Sequence, residues 1–169
     1  MISLFSIAQN RTAFVETFTS STCPPCAGGN VNLESVLADA QNDGKFVSLK
    51  YQMNWPGSGD PYYTEEGGTR RNVYGIGGVP DTRVDGGDNI FTGAFAQNDL
   101  DASYGEPAKA NITARYEVDE AEKTISIEGD VEILVNTSPG VRIYLAVFEY
   151  STQNNVGGNG EITFEHVMK

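Results

Sequence analysis

The sequence has few of the residues from which metal sites and disulfide scaffolds are built. Its 169 residues include two cysteines, Cys23 and Cys26, and one histidine, His166. Structural zinc sites take four ligands and catalytic sites take three, so this supply of thiols and imidazoles argues against zinc. A bridge between cysteines so close together closes a short loop and constrains the unfolded chain little. We therefore predict no metal, no cofactor and no disulfide whose main role is to stabilise the fold.

Basic residues and long apolar runs are also scarce. Lys and Arg number 11 against 23 Asp and Glu, and the formal net charge is −12. Because the basic residues are scattered, they form no cationic stripe for phosphates, and nucleic acid is not an expected partner. No stretch approaches the roughly 20 apolar residues that a membrane-spanning helix needs. We predict a globular chain with no transmembrane segment.

Residues 1–9 are mostly apolar and end in a small-x-small pattern, Ser6-Ile7-Ala8. This pattern is typical of a signal-peptidase site, although the charged start of a signal peptide is missing. Two interpretations are open at this stage. The segment is either the remnant of a signal peptide or a short lead-in strand on the edge of the domain.

The two cysteines lie at a predicted junction between a strand and a helix. Residues 12–20 are rich in β-branched and aromatic side chains, which predicts a strand, and they run directly into the dithiol motif. Apolar residues at helical spacing follow the motif and predict a helix from about residue 25 to 43. These apolar residues are Leu33, Val36, Leu37 and Ala40.

The same signals predict the remaining elements of this first unit. They are a strand over 45–54, a helix from residue 60 or 64 to 74, strands over 81–85 and 89–92, and a helix over 94–104. The order is βαβαββα, and Glu106-Pro107 marks its end. We therefore predict an α/β domain over residues 10–106. The run Asp85–Asn89 is interpreted as a hairpin turn, because it is too short for a calcium loop.

From Lys109 onward the hydrophobic period changes to two. Three alternating segments with turn signals between them predict a small antiparallel β-meander, and a fourth strand is expected from about Glu161. Four strands do not close a sandwich, for which about seven are expected. The extension over 107–169 is therefore expected to pack on the first unit, to pack or dimerise through a second chain, or to be part of a longer protein.

The position of the dithiol suggests disulfide exchange. The reaction needs a thiolate, and the helix N-terminus following Cys23 offers unpaired N–H groups and a positive dipole end that favour one. Cys26 lies one turn further in and is expected to be the more buried, resolving thiol. Pro24 and Pro25 donate no N–H, but their fixed φ suits the start of a helix.

These residues resemble the thioredoxin superfamily. The resemblance rests on the strand Phe14–Ser20, the motif Cys23-Pro24-Pro25-Cys26, the helix after it, and Gly78-Val79-Pro80 before a further strand. It implies a thioredoxin-like fold over about residues 12–105, a cis Val79–Pro80 peptide beside the dithiol, and a Val79 backbone that pairs with an extended substrate segment.

A narrower resemblance is to thioredoxin-like outer-membrane or surface-exported proteins of Gram-negative bacteria. It rests on the lead-in Val15–Thr19, the loop after the second strand, the Tyr74-to-Pro80 segment and the appended β region. It implies an extracytoplasmic location, in the periplasm, in the outer membrane or at the cell surface.

The chain departs from thioredoxins at two positions. Those proteins carry a buried acid and a tryptophan where this chain has Thr17 and Thr22. Glu16 is one position away from Thr17 and therefore points to the opposite face of a strand, so we do not assign it the proton-acceptor role. His166 is interpreted as a surface or packing residue, and Trp55 as a loop residue partly buried in the core.

Two hypotheses follow. The first is an extracytoplasmic thiol–disulfide oxidoreductase that acts on protein thiols or disulfides through Cys23 and Cys26. The alternative is a non-enzymatic binding module, in which the fold presents a surface and the β-meander docks a partner. Since one fold carries many functions, the two hypotheses have to be distinguished by the chemistry of the site.

Overall fold

A computed structural model describes residues 9–136 and 140–169, so the predicted signal-peptide remnant lies outside the described residues except for Gln9. The structure has a mixed α/β architecture, which confirms the predicted class. Its strands are β1 (Ala13–Thr19), β2 (Phe46–Gln52), β3 (Asp81–Val84), β4 (Ala110–Asp119), β5 (Thr124–Ile133), β6 (Phe148–Thr152) and β7 (Phe164–Met168). Its helices are α1 (Pro24–Leu37), α2 (Glu65–Tyr74) and α3 (Gln97–Tyr104).

Five strands form one mixed sheet in the order β3-β1-β2-β7-β6. β1 and β2 run parallel and are joined through α1, because a parallel pair needs a crossover connection. β3 pairs antiparallel with the other edge of β1, and β7 pairs parallel with β2. β1 has a neighbouring strand on each side, and nearly all of its residues are buried. The dithiol turn follows β1 and therefore lies at the C-terminal end of an interior strand.

Alternation along the strands divides the core into two layers. The layer beneath α1 and α3 contains Ala13, Val15, Leu33, Leu37, Phe95 and Leu100. The layer on the opposite face contains Phe18, Leu49, Tyr51, Met53, Ile76 and Met168. Each layer joins residues far apart in the chain, so the sheet, rather than any single helix, organises the fold.

Helix α1 ends earlier than its apolar pattern predicts. The α-helix stops at Leu37, and a short 3-10 turn over Ala40–Asn42 follows it. The Asp39 side chain accepts a hydrogen bond from the Gln41 N–H, and Asn42 donates through Nδ2 to the Val36 carbonyl. These side chains bind backbone groups near the helix end, so the extension to residue 43 was wrong.

Helix α2 begins and ends as its caps predict. The Thr64 hydroxyl accepts from the Gly67 N–H at 3.1 Å, and Gly75 takes the left-handed conformation at the C-terminus with φ 64°. The strand predicted over 89–92 does not form, because Ile90 makes only an isolated bridge to Thr82 before a 3-10 turn at Thr92–Ala94 redirects the chain.

The predicted β-meander is wrong. β4 and β5 pair alone as a two-stranded antiparallel sheet in register from Ala110↔Ile133 to Asp119↔Thr124. Residues 141–147, predicted as the third strand, are not in a strand, and β6 and β7 join the five-stranded sheet instead. The free edge of β2 accepts β7, which buries Phe164 and Val167. An alternating pattern indicates a strand but does not identify the partner edge.

Among the described residues, no helix has the length and apolar character needed to cross a membrane.

Candidate functional site

Cys23 and Cys26 form a disulfide at the start of α1, with an S–S distance of 2.04 Å. The chain leaves β1 through a tight turn in which the Cys23 N–H donates to the Ser20 carbonyl at 3.0 Å. Cys23 then occupies the N-cap position, and Pro24 and Pro25 are the first two residues of the helix. The predicted strand–dithiol–helix junction is therefore present.

Both sulfur-bearing residues are buried. Cys23 is 1% exposed and Cys26 is 0% exposed. Cys26 was expected to be the more buried of the two, whereas the structure covers Cys23 almost as completely. A reagent that reaches the Cys23 sulfur must therefore displace part of the surrounding protein.

Val79 and Pro80 lie beside the dithiol although they are more than 50 positions further along the chain. The Val79–Pro80 peptide is cis, as predicted. The Val79 carbonyl oxygen lies 3.6 Å from the Cys23 Sγ. A Cβ added at Gly29 would lie 3.2 Å from the Pro80 ring, so α1 packs closely on this proline. The structure thus brings together the six residues that the sequence singled out.

Thr17 and Thr22 occupy the two positions where the chain departs from thioredoxins. The Thr17 hydroxyl hydrogen-bonds that of Thr82 at 3.0 Å, inside the layer beneath α1. The Thr22 hydroxyl donates to the Pro56 carbonyl at 2.6 Å and ties the dithiol turn to the loop after β2. Both threonines therefore have structural partners. Trp55, in the same loop, is partly buried against the second core layer, as predicted.

Glu16 lies on the face of the sheet opposite the dithiol helix, as its position on the strand predicts. Its carboxylate accepts two hydrogen bonds from Arg70, at 2.7 and 2.8 Å, and one from Tyr51 at 2.9 Å. Burial raises the pKa of Tyr51 and of Tyr74, and the neighbouring Glu16 charge raises both further. This network connects α2 to β1 and β2. None of these hydrogen bonds involves Cys23 or Cys26.

An ion pair between a buried lysine and a partly exposed glutamate lies beneath α1. Lys50 Nζ is 2.6 Å from Glu34 Oε1, and the Lys50 side chain is 3% exposed. Burial alone would raise the pKa of Glu34, but His166 and Lys50 together outweigh burial and lower it to about 2. His166 Nδ1 lies 3.8 Å from the same carboxylate oxygen, and the imidazole packs edge-on against Tyr150. His166 is thus a packing residue near Glu34, as predicted.

The loop over residues 155–161 contacts the dithiol turn, and sequence reasoning did not assign it to the site. The Asn159 backbone N–H donates to the Ser21 carbonyl at 3.0 Å, and its Nδ2 lies 3.3 Å from the Cys23 carbonyl oxygen. Glu161 follows and contacts α1 through Asn30. The glycine-rich run Gly157–Gly160 was a signal of close backbone approach, but it did not indicate what the loop approaches.

The run Asp85–Asn89 forms a turn, as predicted. The Gly87 N–H donates to the Val84 carbonyl at 2.9 Å, and Asn89 donates to the Asp81 carboxylate at 2.6 Å. Within residues 9–136 and 140–169, no three His, Cys, Asp or Glu side chains are grouped as metal ligands would be.

Comparisons with known proteins add little to this geometry. The sequence matches no protein-family model and no curated protein. Among solved structures, a crystal structure of a protein from Agrobacterium tumefaciens aligns with a TM-score of 0.48 at 18% identity. The alignment covers 72% of this chain and 74% of that one. A similarity at this level carries no argument about family or activity, so the site has to be interpreted from its own chemistry.

Proposed function

We propose that this chain is an extracytoplasmic thiol–disulfide oxidoreductase with a thioredoxin-like fold, in which Cys23 attacks and Cys26 resolves. The observation that carries the proposal is the Cys23–Cys26 disulfide at the N-terminus of α1, with the Val79 carbonyl 3.6 Å from the Cys23 sulfur. The substrates are protein thiols or disulfides. A dithiol that is closed in the folded chain is compatible with an oxidising compartment outside the cytoplasm.

The helix supplies the electrostatic part of the mechanism. When the disulfide is reduced, the positive end of the α1 dipole favours a thiolate at Cys23, the N-cap residue, over one at Cys26. Pro24 and Pro25 supply no N–H to this thiolate, so the helix acts on it through its dipole. The thiolate attacks a substrate disulfide and forms a mixed disulfide, and the departing sulfur leaves as a thiolate. Cys26 then attacks Cys23 Sγ, closes the disulfide again and releases the reduced substrate.

We assign substrate binding to the Val79 backbone, and its location supports this role. Val79 precedes β3, and its backbone lies against the sulfur that would carry the substrate. An extended segment of a substrate protein that pairs with the Val79 backbone would be held next to Cys23. Pairing through main-chain groups gives affinity with little dependence on the substrate's sequence.

The first test measures the reduction potential of the Cys23–Cys26 pair in glutathione and dithiothreitol buffers. The pKa of Cys23 is measured in the same samples from thiolate absorbance. We expect a potential between roughly −270 and −120 mV and a pKa below that of a free thiol. A potential below about −300 mV with an unreactive Cys23 would contradict the proposal.

Two variants separate the roles of the cysteines. Cys23→Ser should abolish exchange with a disulfide-containing protein, because no attacking sulfur remains. Cys26→Ser should instead accumulate mixed disulfides that are visible on non-reducing gels, because the resolving thiol is missing. If the two variants behave alike, the assigned roles are wrong.

A second candidate function is a binding module, and the apolar face of the β4–β5 hairpin favours it. Side chains on that face, such as Ile112 and Tyr116, are 72% and 73% exposed. Under this hypothesis the buried dithiol is a slow, stable bridge. Substituting both cysteines with serine should then leave partner binding unchanged, whereas the oxidoreductase hypothesis expects the loss of the protein's activity.

A further inference from the structure

The resolving step of the proposed reaction needs a proton acceptor. Cys26 is fully buried, and a buried thiol stays protonated unless a base takes its proton, since only the thiolate attacks. The position beneath the dithiol that an acid fills in thioredoxins holds Thr17, which is hydrogen-bonded to Thr82. A different carboxylate must therefore serve Cys26, and this inference rests on the proposed function.

Glu161 brings a carboxylate to the dithiol end of α1. Its Oε1 accepts a hydrogen bond from Asn30 Nδ2 at 2.8 Å. Asn30 is four residues after Cys26 in the same helix, so the two side chains lie on one face as neighbours, with about 5–6 Å between their Cβ atoms. The carboxylate of Glu161 thus contacts the helical neighbour of Cys26.

A second hydrogen bond places the same carboxylate on the other side of the turn. Glu161 Oε2 accepts from Asn159 Nδ2 at 2.5 Å, and that nitrogen also lies 3.3 Å from the Cys23 carbonyl oxygen. The Cys23 carbonyl in turn accepts the Cys26 N–H at 3.1 Å. Two amide side chains therefore hold the carboxylate against the segment that contains both cysteines.

Asn30 has a polar atom with no assigned role. The residue is 4% exposed, and its Oδ1 has no hydrogen-bond partner among the described residues. An unpaired buried acceptor is costly. A donor that reaches this oxygen, such as a protonated Cys26 or a water molecule between the two, would remove that cost and connect Cys26 to the Asn30–Glu161 pair.

The carboxylate also has a route for passing the proton to solvent. An open cavity of about 850 Å³ lies between α1 and the segment before β7, and Asn30, Glu34, Lys50, Glu161 and Glu165 are among its lining residues. A proton taken up by Glu161 can be released into this cavity without crossing the core.

The more deeply buried carboxylates are engaged elsewhere, and Asp81 among them pairs with Arg83. Glu16 lies on the opposite face of the sheet with Arg70. Asp60 accepts the Ser21 and Tyr62 N–H groups. Glu34 lies two turns beyond Cys26 in α1, and its ion pair with Lys50 leaves it a weak proton acceptor at neutral pH.

We propose that Glu161 is the proton acceptor for Cys26, with Asn30 and Asn159 as positioning residues. In the mixed disulfide, Cys26 gives its proton to the Glu161 carboxylate through a water molecule that Asn30 Oδ1 holds, and the Cys26 thiolate attacks Cys23 Sγ. The Cys26–Cys23 bond forms as the bond from Cys23 to the substrate sulfur breaks. The substrate leaves as a thiolate with the electron pair of that bond, and Glu161 releases its proton to the cavity.

Stopped-flow reaction of the reduced protein with 5,5′-dithiobis(2-nitrobenzoate) tests the assignment. The first nitrothiobenzoate released reports attack by Cys23, and the second reports attack by Cys26 on the mixed disulfide. Glu161→Gln preserves the acceptor oxygen for Asn30 but removes the base. We expect it to slow the second phase about 10-fold or more near pH 7 and to leave the first phase unchanged.

The pH profile separates a base from a structural residue. The other titratable residues that line the cavity are Glu34, Lys50 and Glu165. His166 Nδ1 lies 3.8 Å from the Glu34 carboxylate. In the wild-type protein the second phase should be fast at neutral pH, because Glu161 takes the proton from Cys26. In Glu161→Gln it should rise with pH until Cys26 ionises by itself, so the two proteins should converge at high pH. A parallel loss at every pH would indicate a structural role and overturn the proposal.

Glu165→Gln is the matched control. Glu165 lines the same cavity and accepts a hydrogen bond from Ser151, away from the dithiol. Its second phase should match that of the wild-type protein. If the second phase has the same rate in Glu161→Gln and in this control, the role of Glu161 is refuted and the proposed function is not affected. If the wild-type protein releases no nitrothiobenzoate at all, the proposed function fails and the inference fails with it.

Discussion

Lys50 carries a positive charge in the interior of the protein. The free energy of folding therefore depends on the residue that pairs with this charge, Glu34. The Lys50 side chain is buried on β2, and Glu34 on α1 supplies the opposite charge at 2.6 Å. Breaking a buried ion pair is more destabilising than replacing both partners, because it leaves one charge without compensation. The pair also connects the dithiol helix to the centre of the sheet.

Glu34→Gln should therefore destabilise the protein at neutral pH. The folded-state pKa of Glu34 is about 2, below its ordinary value of 4.5. A lowered carboxylate pKa contributes stability above the unfolded-state value, and that stability is lost as the pH falls from about 4.5 towards 2. We expect a loss on the order of 3 kcal/mol at pH 7, measured by urea unfolding, which disappears towards pH 2.

Two controls accompany this variant. Glu122→Gln, in the exposed β4–β5 turn, should change the free energy of unfolding by less than about 0.5 kcal/mol. Adding Lys50→Met to Glu34→Gln should recover part of the loss, because the unpaired charge is removed. An equal effect of Glu34→Gln at pH 7 and pH 3 would contradict the assignment of the pair.

At the scale of elements, the loop over 155–161 closes on the turn between β1 and α1. A Cβ added at Gly157 would lie 2.4 Å from Ser21 Oγ and 2.8 Å from the Ser21 carbonyl carbon. Since backbone atoms cannot move aside cheaply, a side chain at this position has to displace the loop. The loop and the dithiol turn are therefore packed through a position that only glycine can occupy.

Gly157→Ala should open the site. We expect the reduced variant to react several-fold faster with iodoacetamide at Cys23, because the loop no longer covers the turn. Gly28→Ala is the control, since a Cβ there meets nothing within 4 Å. It should leave the alkylation rate unchanged and stabilise α1 by up to about 1 kcal/mol. Equal alkylation rates in both variants would show that the loop does not limit access.

At the scale of the whole molecule, the β4–β5 hairpin has one apolar face without a partner among the described residues. Directly opposed residues of an antiparallel pair share a face, and Tyr116↔Ile127 and Val118↔Ile125 are such pairs. A single hairpin is marginally stable in water. Because the face carries no charge, two copies of it can pack as sheets without burying a charge, and we expect a second copy of this chain as the partner.

Ile127→Lys should therefore weaken self-association. We expect sedimentation velocity to show dimers of the wild-type protein at micromolar concentration and monomers of this variant, because a lysine on the shared face would be desolvated without a partner. Ser126→Lys places the same charge on the opposite, polar face and should leave the dimer intact. A wild-type monomer at every concentration would contradict the pairing.

The local elements around the dithiol were predictable from the sequence, but the composition of the site was only partly predictable. β1, the start of α1 and the caps of α2 follow from residue types within one or two turns of each boundary. The positions of Val79 and Pro80 followed from a resemblance to a family. Glu161 was missed, because its contact with Asn30 spans 131 positions and leaves no local pattern.

The sequence by itself determined that a strand runs into a dithiol at the start of a helix, because propensity, proline and hydrophobic period act over a few residues. Only the tertiary structure decided that β6 and β7 join the main sheet, that the loop over 155–161 contacts the dithiol turn, and that Glu161 contacts Asn30 in the dithiol helix. The physical reason is that alternation is the same for any strand partner. Which edge a strand joins depends on which edges the rest of the chain leaves open.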